Sequence, residues 1–249
     1  MSDTDPGVKL FLRKVEGRHP LSDEARQAFL SLPYKRHSVA LYRDVVREGK
    51  RSFTCCLMSE GVVSRYKTLP NGGRQINSFH IPGDMIDLQS ALMLVADHGI
   101  RTHTPTVVLD FDCFDILQLS SDYAEWGRAL WFDTMVDSSI FREWMLNVGR
   151  RPAVSRVAHL LLEFAHRLHS IGESDGFKFT LPVTQIDLAD AAGLSSVHTN
   201  RSLQRLREDG LIRTYGKTVV IEKRQELARL ATFESTYLEP EGPRMPLLA

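Results

Sequence analysis

The sequence predicts an α+β protein in three successive parts: an antiparallel β-roll, one long helix, and a C-terminal domain of short helices and a hairpin. Short apolar runs broken by turn residues fill the first half, and a proline-free segment with apolar residues at four-residue steps follows. The last third contains two capped helices around a glycine. We predict boundaries at 1–120 for the roll, 121–149 for the long helix, 150–232 for the C-terminal domain and 233–249 for a tail.

The composition is that of a globular protein, with 31 basic and 31 acidic residues among 249 and 43% hydrophobic residues. The zero net charge hides an asymmetry, because residues 150–231 carry 13 basic against 9 acidic side chains. This surplus of positive charge indicates a C-terminal module that binds a polyanion. The longest apolar run, Ala91–Ala96, is too short to span a membrane, and the polar N-terminus does not resemble a secretory signal. We therefore expect a cytoplasmic protein without membrane contact.

The three cysteines, Cys55, Cys56 and Cys113, form no CxxC motif and no zinc-finger spacing with histidine. Two of them are adjacent in an apolar segment, where neighbours rarely pair. We interpret them as reduced and mostly buried thiols, and a redox switch at Cys55 or Cys113 stays an open alternative.

The first half begins with a predicted amphipathic helix, Leu21–Leu30, capped by Ser22. The predicted strands are Ser38–Tyr42, Phe53–Met58, Val62–Lys67, Gln75–Ile81 and Val107–Phe111. Asn71-Gly72 predicts a tight hairpin, and Asp87–Asp97 is interpreted as a short helix packed on the roll. Short strands at this spacing are typical of a small antiparallel roll.

The long helix is predicted from Ser121 to Val148, and at 1.5 Å per residue it spans about 42 Å. Its apolar stripe is wider than one buried face requires, and Leu130, Trp131, Met135, Phe141 and Met145 contribute to that width. We predict that part of this surface packs on the roll and part on a twin helix, with burial inside one monomer as the alternative. The predicted dimerisation residues are Leu130, Phe132, Val136, Ile140, Trp144 and Val148.

The C-terminal domain contains the most specific local pattern, two short helices joined by a glycine turn. Thr184 is placed to cap the first helix, Gly193 to end it and Ser195 to cap the second. We expect Val197, Leu203 and Leu206 to anchor the second helix inward.

The other side of that helix carries side chains that can read DNA bases, because arginine pairs with guanine and asparagine with adenine in the major groove. A hairpin around Tyr215-Gly216-Lys217 follows, with a lysine available for a phosphate. The pattern predicts a winged helix-turn-helix that binds double-stranded DNA.

The arrangement resembles the Crp/Fnr family of bacterial transcription regulators from about Leu21 to Ala231. The matching segments are Leu57–Gly61, Asn71–Arg74, Phe79–Asp84, the helix-turn-helix, Leu211-Ile212 and Gly216–Thr218. The resemblance implies a cyclic-nucleotide-binding type of β-roll, a long dimerisation helix and a winged helix-turn-helix. It also implies a homodimer on a pseudo-palindromic operator, with RNA polymerase and an unknown small-molecule effector as candidate further partners.

Carried over by position, the resemblance gives Arg201 the guanine-reading role and places phosphate contacts at Thr184 and Gln185. Val197 stands where many members carry a base-reading glutamate, so the operator is expected to differ from the usual one. The complete predicted DNA-binding set is Thr184, Gln185, Ser195, Ser196, Val197, His198, Asn200, Arg201, Arg205, Arg213, Tyr215 and Lys217.

The ligand motif of the cyclic-nucleotide-binding members is incomplete. Gly83-Asp84 stands where they carry Gly-Glu, and Arg101-Thr102 falls too late to match their Arg-Ser/Thr pair. These four residues are the predicted effector pocket, but we do not expect cyclic AMP to bind. The cysteine cluster of iron–sulfur members is absent from residues 1–54, and we expect neither haem nor metal.

These observations favour a DNA-binding transcription regulator. The alternative from another class is a ligand-binding regulatory subunit whose C-terminal domain contacts protein. An enzyme is the third choice, because the sequence contains no GxSxG, HExxH or phosphate-binding glycine loop.

Overall fold

The computed structural model describes residues 4–238, so the end of the predicted tail lies outside the described residues. The helices are α1 Pro6–Glu16, α2 Asp23–Leu30, α3 Cys113–Asp122, α4 Ala124–Arg150, α5 Ala153–Ser170, α6 Gln185–Ala192, α7 Ser196–Glu208 and α8 Arg224–Ala231. The strands are β1 Tyr34–Val39, β2 Asp44–Val46, β3 Thr54–Glu60, β4 Val63–Thr68, β5 Arg74–His80, β6 Gly99–Thr102, β7 Thr106–Asp112, β8 Lys178–Thr180, β9 Ile212–Tyr215 and β10 Thr218–Ile221.

Seven strands form the N-terminal roll as two antiparallel sheets, ordered β1-β7-β3 and β2-β6-β4-β5. Apolar side chains from both sheets, such as Met58, Val63, Ile100 and Val108, meet between them. The predicted hairpin joins β4 and β5, where Gly72 takes a φ of 86° that glycine adopts without strain. The predicted α+β fold class is confirmed.

Helices cover the outer face of the β1-β7-β3 sheet. Phe11 of α1, Phe29 of α2 and Trp126 of α4 stack on one another there, and the Trp126 indole donates a hydrogen bond of 2.8 Å to the Ala25 carbonyl. This apolar contact attaches the start of α4 to the roll. Helix α1 was not predicted, although Val8, Phe11, Leu12 and Val15 have helical spacing and Asp5 caps the helix.

Two predicted helices have different bounds in the structure. The long helix begins at Ala124, because the chain breaks at Tyr123 (φ −124°, ψ 100°) after α3, so Ser121 belongs to α3. Asp112 caps α3 by accepting a hydrogen bond from the Phe114 amide. The segment Asp87–Asp97 contains only a 3₁₀ turn at Leu88–Ala91, and the prediction of a helix through it was wrong.

Most of the predicted dimerisation residues pack inside the monomer. Leu130, Val136, Ile140 and Trp144 are all buried, and the Trp144 indole donates a hydrogen bond of 2.9 Å to Glu163 of α5. Half-buried Phe132 packs edge-on against His19. The roll and α5 thus cover the side of α4 that carries these five residues, which leaves little of their surface for a partner helix.

A different face of α4 stays uncovered. Trp131, Met135, Phe141 and Met145 are 69%, 46%, 47% and 60% exposed. We call these four residues the α4 stripe. Val148, the last predicted dimerisation residue, is half-buried near the end of the same helix.

The C-terminal domain packs α5, α6, α7 and α8 with the small sheet β8-β10-β9 around one apolar core. A second 3₁₀ turn, Ser235–Tyr237, returns to α5, where the Tyr237 hydroxyl donates to Glu163 at 2.6 Å. Among residues 4–238, no helix is long and apolar enough to cross a membrane.

Candidate nucleic-acid interface

The first helix of the predicted helix-turn-helix is α6, and its N-terminus is capped as predicted. The Thr184 hydroxyl accepts a hydrogen bond of 3.2 Å from the Asp187 amide, and the Asp187 carboxylate accepts one of 3.0 Å from the Thr184 amide. This reciprocal pair satisfies two of the free amides at the start of the helix. Thr184 is half-buried, whereas the Gln185 side chain next to it is exposed.

The turn between α6 and α7 depends on Gly193. Its φ of 61° and ψ of 41° lie in the left-handed region, as predicted. Arg156 of α5 donates to the Ala192 carbonyl at 3.2 Å and so satisfies the C-terminal end of α6. Ser195 then caps α7 by accepting a hydrogen bond of 3.3 Å from the His198 amide.

Helix α7 has one inner face and one open face. Thr199, Ser202, Leu203 and Leu206 are buried against the domain, whereas Val197 is 60% exposed, so the prediction that it anchors the helix inward was wrong. The open face consists of Ser196, Val197, His198, Asn200, Arg201, Gln204 and Arg205. We call these seven residues the α7 open face.

The α7 open face is rich in hydrogen-bond donors. The Asn200 side-chain amide lies 3.4 Å from the Gln185 amide oxygen, so the structure brings these two predicted contact residues together. Among residues 4–238, no carboxylate forms a salt bridge with Arg201. Its guanidinium is therefore available to a ligand outside the domain.

The predicted wing is the β9–β10 hairpin. Tyr215 pairs with Thr218 across a loop of Gly216 and Lys217, and Gly216 has a φ of 59°. Tyr215 is 62% exposed and Lys217 is exposed as well. Apolar side chains on the other side of the hairpin, Ile212 and Val219, are buried in the domain core, so only its polar side faces outward.

Two predicted phosphate ligands already have carboxylate partners. Arg205 pairs with Asp209 at 2.8 Å and Arg213 with Glu222 at 3.2 Å. All four side chains are substantially exposed, and solvent-exposed pairs of this kind contribute little to stability. A DNA phosphate can therefore displace the carboxylate at small cost.

Helix α6 is also attached to the roll through a contact that was not predicted. Arg74 of β5 donates to Asp187 at 2.6 Å and to Asp190 at 2.7 Å. His103 lies 3.2 Å from the Asp187 carboxylate. Burial opposes ionisation of Asp187, but its hydrogen bonds with His103 and Thr184 outweigh burial and hold its pKa well below the usual range. Asp187, the partner of Thr184 in the capping pair, thus also joins the two domains.

The predicted effector residues have different partners in the structure. Asp84 is paired with Arg167, Lys14 and His80; burial opposes its ionisation, but Arg167 and Lys14 hold its pKa well below the usual range. Gly83 lies against Leu10 of α1, since a Cβ placed on it would be 2.7 Å from the Leu10 Cβ.

The other two predicted effector residues lie on β6 and have different partners. The Arg101 guanidinium lies 5.9 Å from the centre of the Tyr42 ring. The Thr102 hydroxyl is buried, donates to the Ala40 carbonyl at 2.7 Å and accepts from the Arg43 amide at 2.9 Å. The Thr102 hydroxyl is therefore satisfied as both donor and acceptor by the backbone of this chain.

Sequence and structure comparisons point to one family. Residues 155–230 match the family model of the Crp-like helix-turn-helix domain. The chain is 27% identical over 191 residues to the nitrogen fixation regulation protein FixK of Rhizobium meliloti, covering 76% of this chain and 83% of FixK. It is 28% identical over 180 residues to the transcriptional activator protein FnrL of Cereibacter sphaeroides, covering 71% and 72% of the two chains.

The solved structure of FixK2 from Bradyrhizobium japonicum superimposes with a TM-score of 0.76 at 26% identity, covering 82% of this chain and 100% of FixK2. The likeness therefore extends beyond the helix-turn-helix to the roll and the long helix. Together with the capped α6–α7 pair and its open basic face, it supports a DNA-binding transcription regulator of the Crp/Fnr type, with a Crp-like helix-turn-helix domain at residues 155–230.

Proposed function

We propose that the chain binds DNA as a homodimer, with the α7 open face of each protomer in one major groove. The observation that carries this proposal is the exposure of that face, on which Arg201 has no salt-bridge partner within residues 4–238 and Asn200 lies next to Gln185. An arginine that donates two hydrogen bonds to guanine and an asparagine that pairs with adenine supply sequence discrimination. Exposed Val197 offers an apolar contact to a thymine methyl group.

The α4 stripe is the proposed dimer contact. Trp131 and Met145 are two heptads apart, and Phe141 lies between them at the spacing of a coiled-coil seam. Two helices joined along this seam would place two α7 helices on successive major grooves, about 34 Å apart, on a pseudo-palindromic site. The stripe thus replaces the buried residues of the predicted interface, with Val148 kept at its end.

Phosphate contacts are proposed for Gln185, Arg205, Arg213 and Lys217, with Thr184, Ser195, Ser196, His198 and Tyr215 at the edge of the interface. These contacts supply most of the affinity and make it fall steeply with salt, because each neutralised phosphate releases counterions.

Control of the regulator is proposed to be independent of cyclic AMP, haem and iron–sulfur clusters. The position that binds the ribose in cyclic-nucleotide-binding relatives is held here by Asp84, whose carboxylate is already engaged by Arg167 and Lys14. A ligand hydroxyl would have to displace a buried cation from a buried anion, which is unfavourable. We further infer a cytoplasmic protein without catalytic activity that contacts RNA polymerase, as the description of FnrL as a transcriptional activator suggests.

Selection of bound duplexes from a random pool, followed by gel shifts at several salt concentrations, tests the proposal. Arg201→Ala is expected to weaken specific binding by about 1–3 kcal/mol and to relax the preference at one base in each half-site. Lys217→Ala is the matched control, since losing a phosphate contact weakens binding to all sequences equally.

Equal loss on selected and random duplexes for Arg201→Ala would remove Arg201 from base reading. No duplex binding by the wild-type chain at physiological salt would instead favour a regulatory subunit that contacts protein.

A further inference from the structure

Two of the three cysteines face each other where β3 meets the first turn of α3. The Sγ atoms of Cys55 and Cys113 are 3.7 Å apart, and both thiols are free. Cys55 pairs with Phe111 across the sheet, and the Cys113 amide donates a hydrogen bond of 2.9 Å to the Phe53 carbonyl. Cys113, the first residue after β7, is thus a diagonal neighbour of Cys55 on β3. A disulfide requires sulfurs about 2.05 Å apart, so an approach of about 1.6 Å closes the bond.

The third cysteine is placed differently. Successive side chains of a strand point to opposite faces, so Cys55 packs under the helices while Cys56 points into the roll. The Cys56 thiol donates a hydrogen bond of 3.2 Å to Asp110 there. A bond between Cys55 and Cys56 would require the strand to be disrupted, whereas one between Cys55 and Cys113 needs only small side-chain movements.

The two thiols of the pair differ in reactivity. Cys55 is fully buried, and burial raises the pKa of its thiol far above the usual range. Cys113 is half-buried at the start of α3; burial also raises the pKa of its thiol, but the hydrogen bond with Cys55 opposes that rise. Cys113 is therefore the thiol that ionises first and that an oxidant reaches first.

We propose that Cys55 and Cys113 form an intramolecular disulfide when the protein meets a hydroperoxide. With hydrogen peroxide, the Cys113 thiolate attacks one peroxide oxygen, the O–O bond breaks and Cys113 becomes a sulfenic acid. The departing hydroxide takes up the proton that the Cys113 thiol released, which gives one water. The Cys55 sulfur then attacks the Cys113 sulfur, the S–O bond breaks, and the departing hydroxide takes the Cys55 proton as a second water. The two thiols supply the two electrons that reduce the peroxide.

The bond would lie at the joint between the roll and the long helix. Cys55 belongs to β3, and Cys113 begins α3, which packs on α4. A disulfide here fixes the start of α3 to the sheet and so restrains the segment that leads into the proposed dimer helix. The inference is independent of DNA binding, because it requires only the folded chain.

Peptide mapping of the full chain tests the proposal. Reduced protein is treated with hydrogen peroxide, alkylated and digested without reductant. The expected result is one alkylated cysteine, Cys56, and a linked peptide pair that contains Cys55 and Cys113; dithiothreitol should restore three reactive thiols. Oxidation should be faster at about pH 8.5 than at about pH 7, because the attacking species is the thiolate.

The matched control is Cys56→Ser, which should form the same bond, whereas Cys113→Ser should not. Sulfinic acid at Cys113 without a linked pair, a bond between two chains, or a bond between Cys55 and Cys56 would each overturn the proposal. The wild-type map decides the question even where a cysteine variant fails to fold. A gel shift on the same samples separates loss of DNA binding from loss of the thiol pair.

Discussion

Replacing Trp131 with alanine tests the α4 stripe as the dimer contact. Trp131 is 69% exposed in the monomer, which for a side chain of roughly 250 Å² leaves about 170 Å² that a partner can cover. Alanine retains part of that area, so about 100 Å² of burial is lost per protomer. At about 25 cal/mol per Å², the loss is about 2.5 kcal/mol for each protomer and about 5 kcal/mol for the symmetric pair.

This value is an upper bound, because area does not convert fully into affinity. The expected increase in the monomer–dimer Kd is about 10²- to 10³-fold, measured by sedimentation equilibrium. Stability of the monomer should change little, since the removed atoms face solvent.

Phe114 is the matched control, because it is an aromatic residue on α3 that is 68% exposed. Phe114→Ala should leave the dimer unchanged. A Kd for Trp131→Ala within threefold of wild type, or an equal effect of Phe114→Ala, would show that the stripe is not the interface.

Three further perturbations test other parts of the structure. Gly193→Ala places a side chain at a φ of 61° and should destabilise the protein by about 1–2 kcal/mol in urea unfolding. The control Gly149→Ala, in open space on α4, should stabilise the protein by about 0.5–1 kcal/mol. Equal effects of the two substitutions would contradict the turn geometry. Arg74→Ala removes the ion pairs with Asp187 and Asp190. Amide hydrogen exchange in α6 should therefore become faster, while the interior of the roll stays protected. Unchanged exchange in α6 would contradict the contact between the domains. Burial raises the pKa of Asp87 to about 6, which is above its value in the unfolded chain. The folded state therefore binds this proton more tightly than the unfolded state does. As a result, the contribution of Asp87 to stability falls as pH rises from about 4 to about 6. The unfolding free energy of Asp87→Asn relative to wild type should therefore increase by about 2–3 kcal/mol across that window, and a constant difference would refute the assignment.

The local elements of the helix-turn-helix were readable from the sequence because their causes are local. The capping pair Thr184 and Asp187, the left-handed Gly193 and the Ser195 cap each involve residues within a few positions of one another. The Asn71-Gly72 hairpin follows the same logic. Helix α1 was accessible as well, through its Asp5 cap and helical apolar spacing.

Features that depend on packing could not be predicted from the sequence. Periodicity showed that α4 is apolar on more than one side, but it could not show which side the roll and α5 cover. The predicted interface residues Leu130, Val136, Ile140 and Trp144 are therefore buried in the monomer, whereas their neighbours in the α4 stripe, about one residue away around the helix, are exposed. A wide stripe looks the same in sequence whichever part is buried.

By itself, the sequence determined the order of the parts, the capped helix pair and the basic open side of α7, because hydrogen bonds and helical spacing act over a few residues. Only the tertiary structure decided which face of α4 stays open, that Arg74 and His103 bind Asp187 from 113 and 84 positions away, and that Cys55 meets Cys113. Those contacts join segments that are distant in the chain. Folding brings such segments together through burial of the whole core, so the contacts cannot be predicted from any short stretch of sequence.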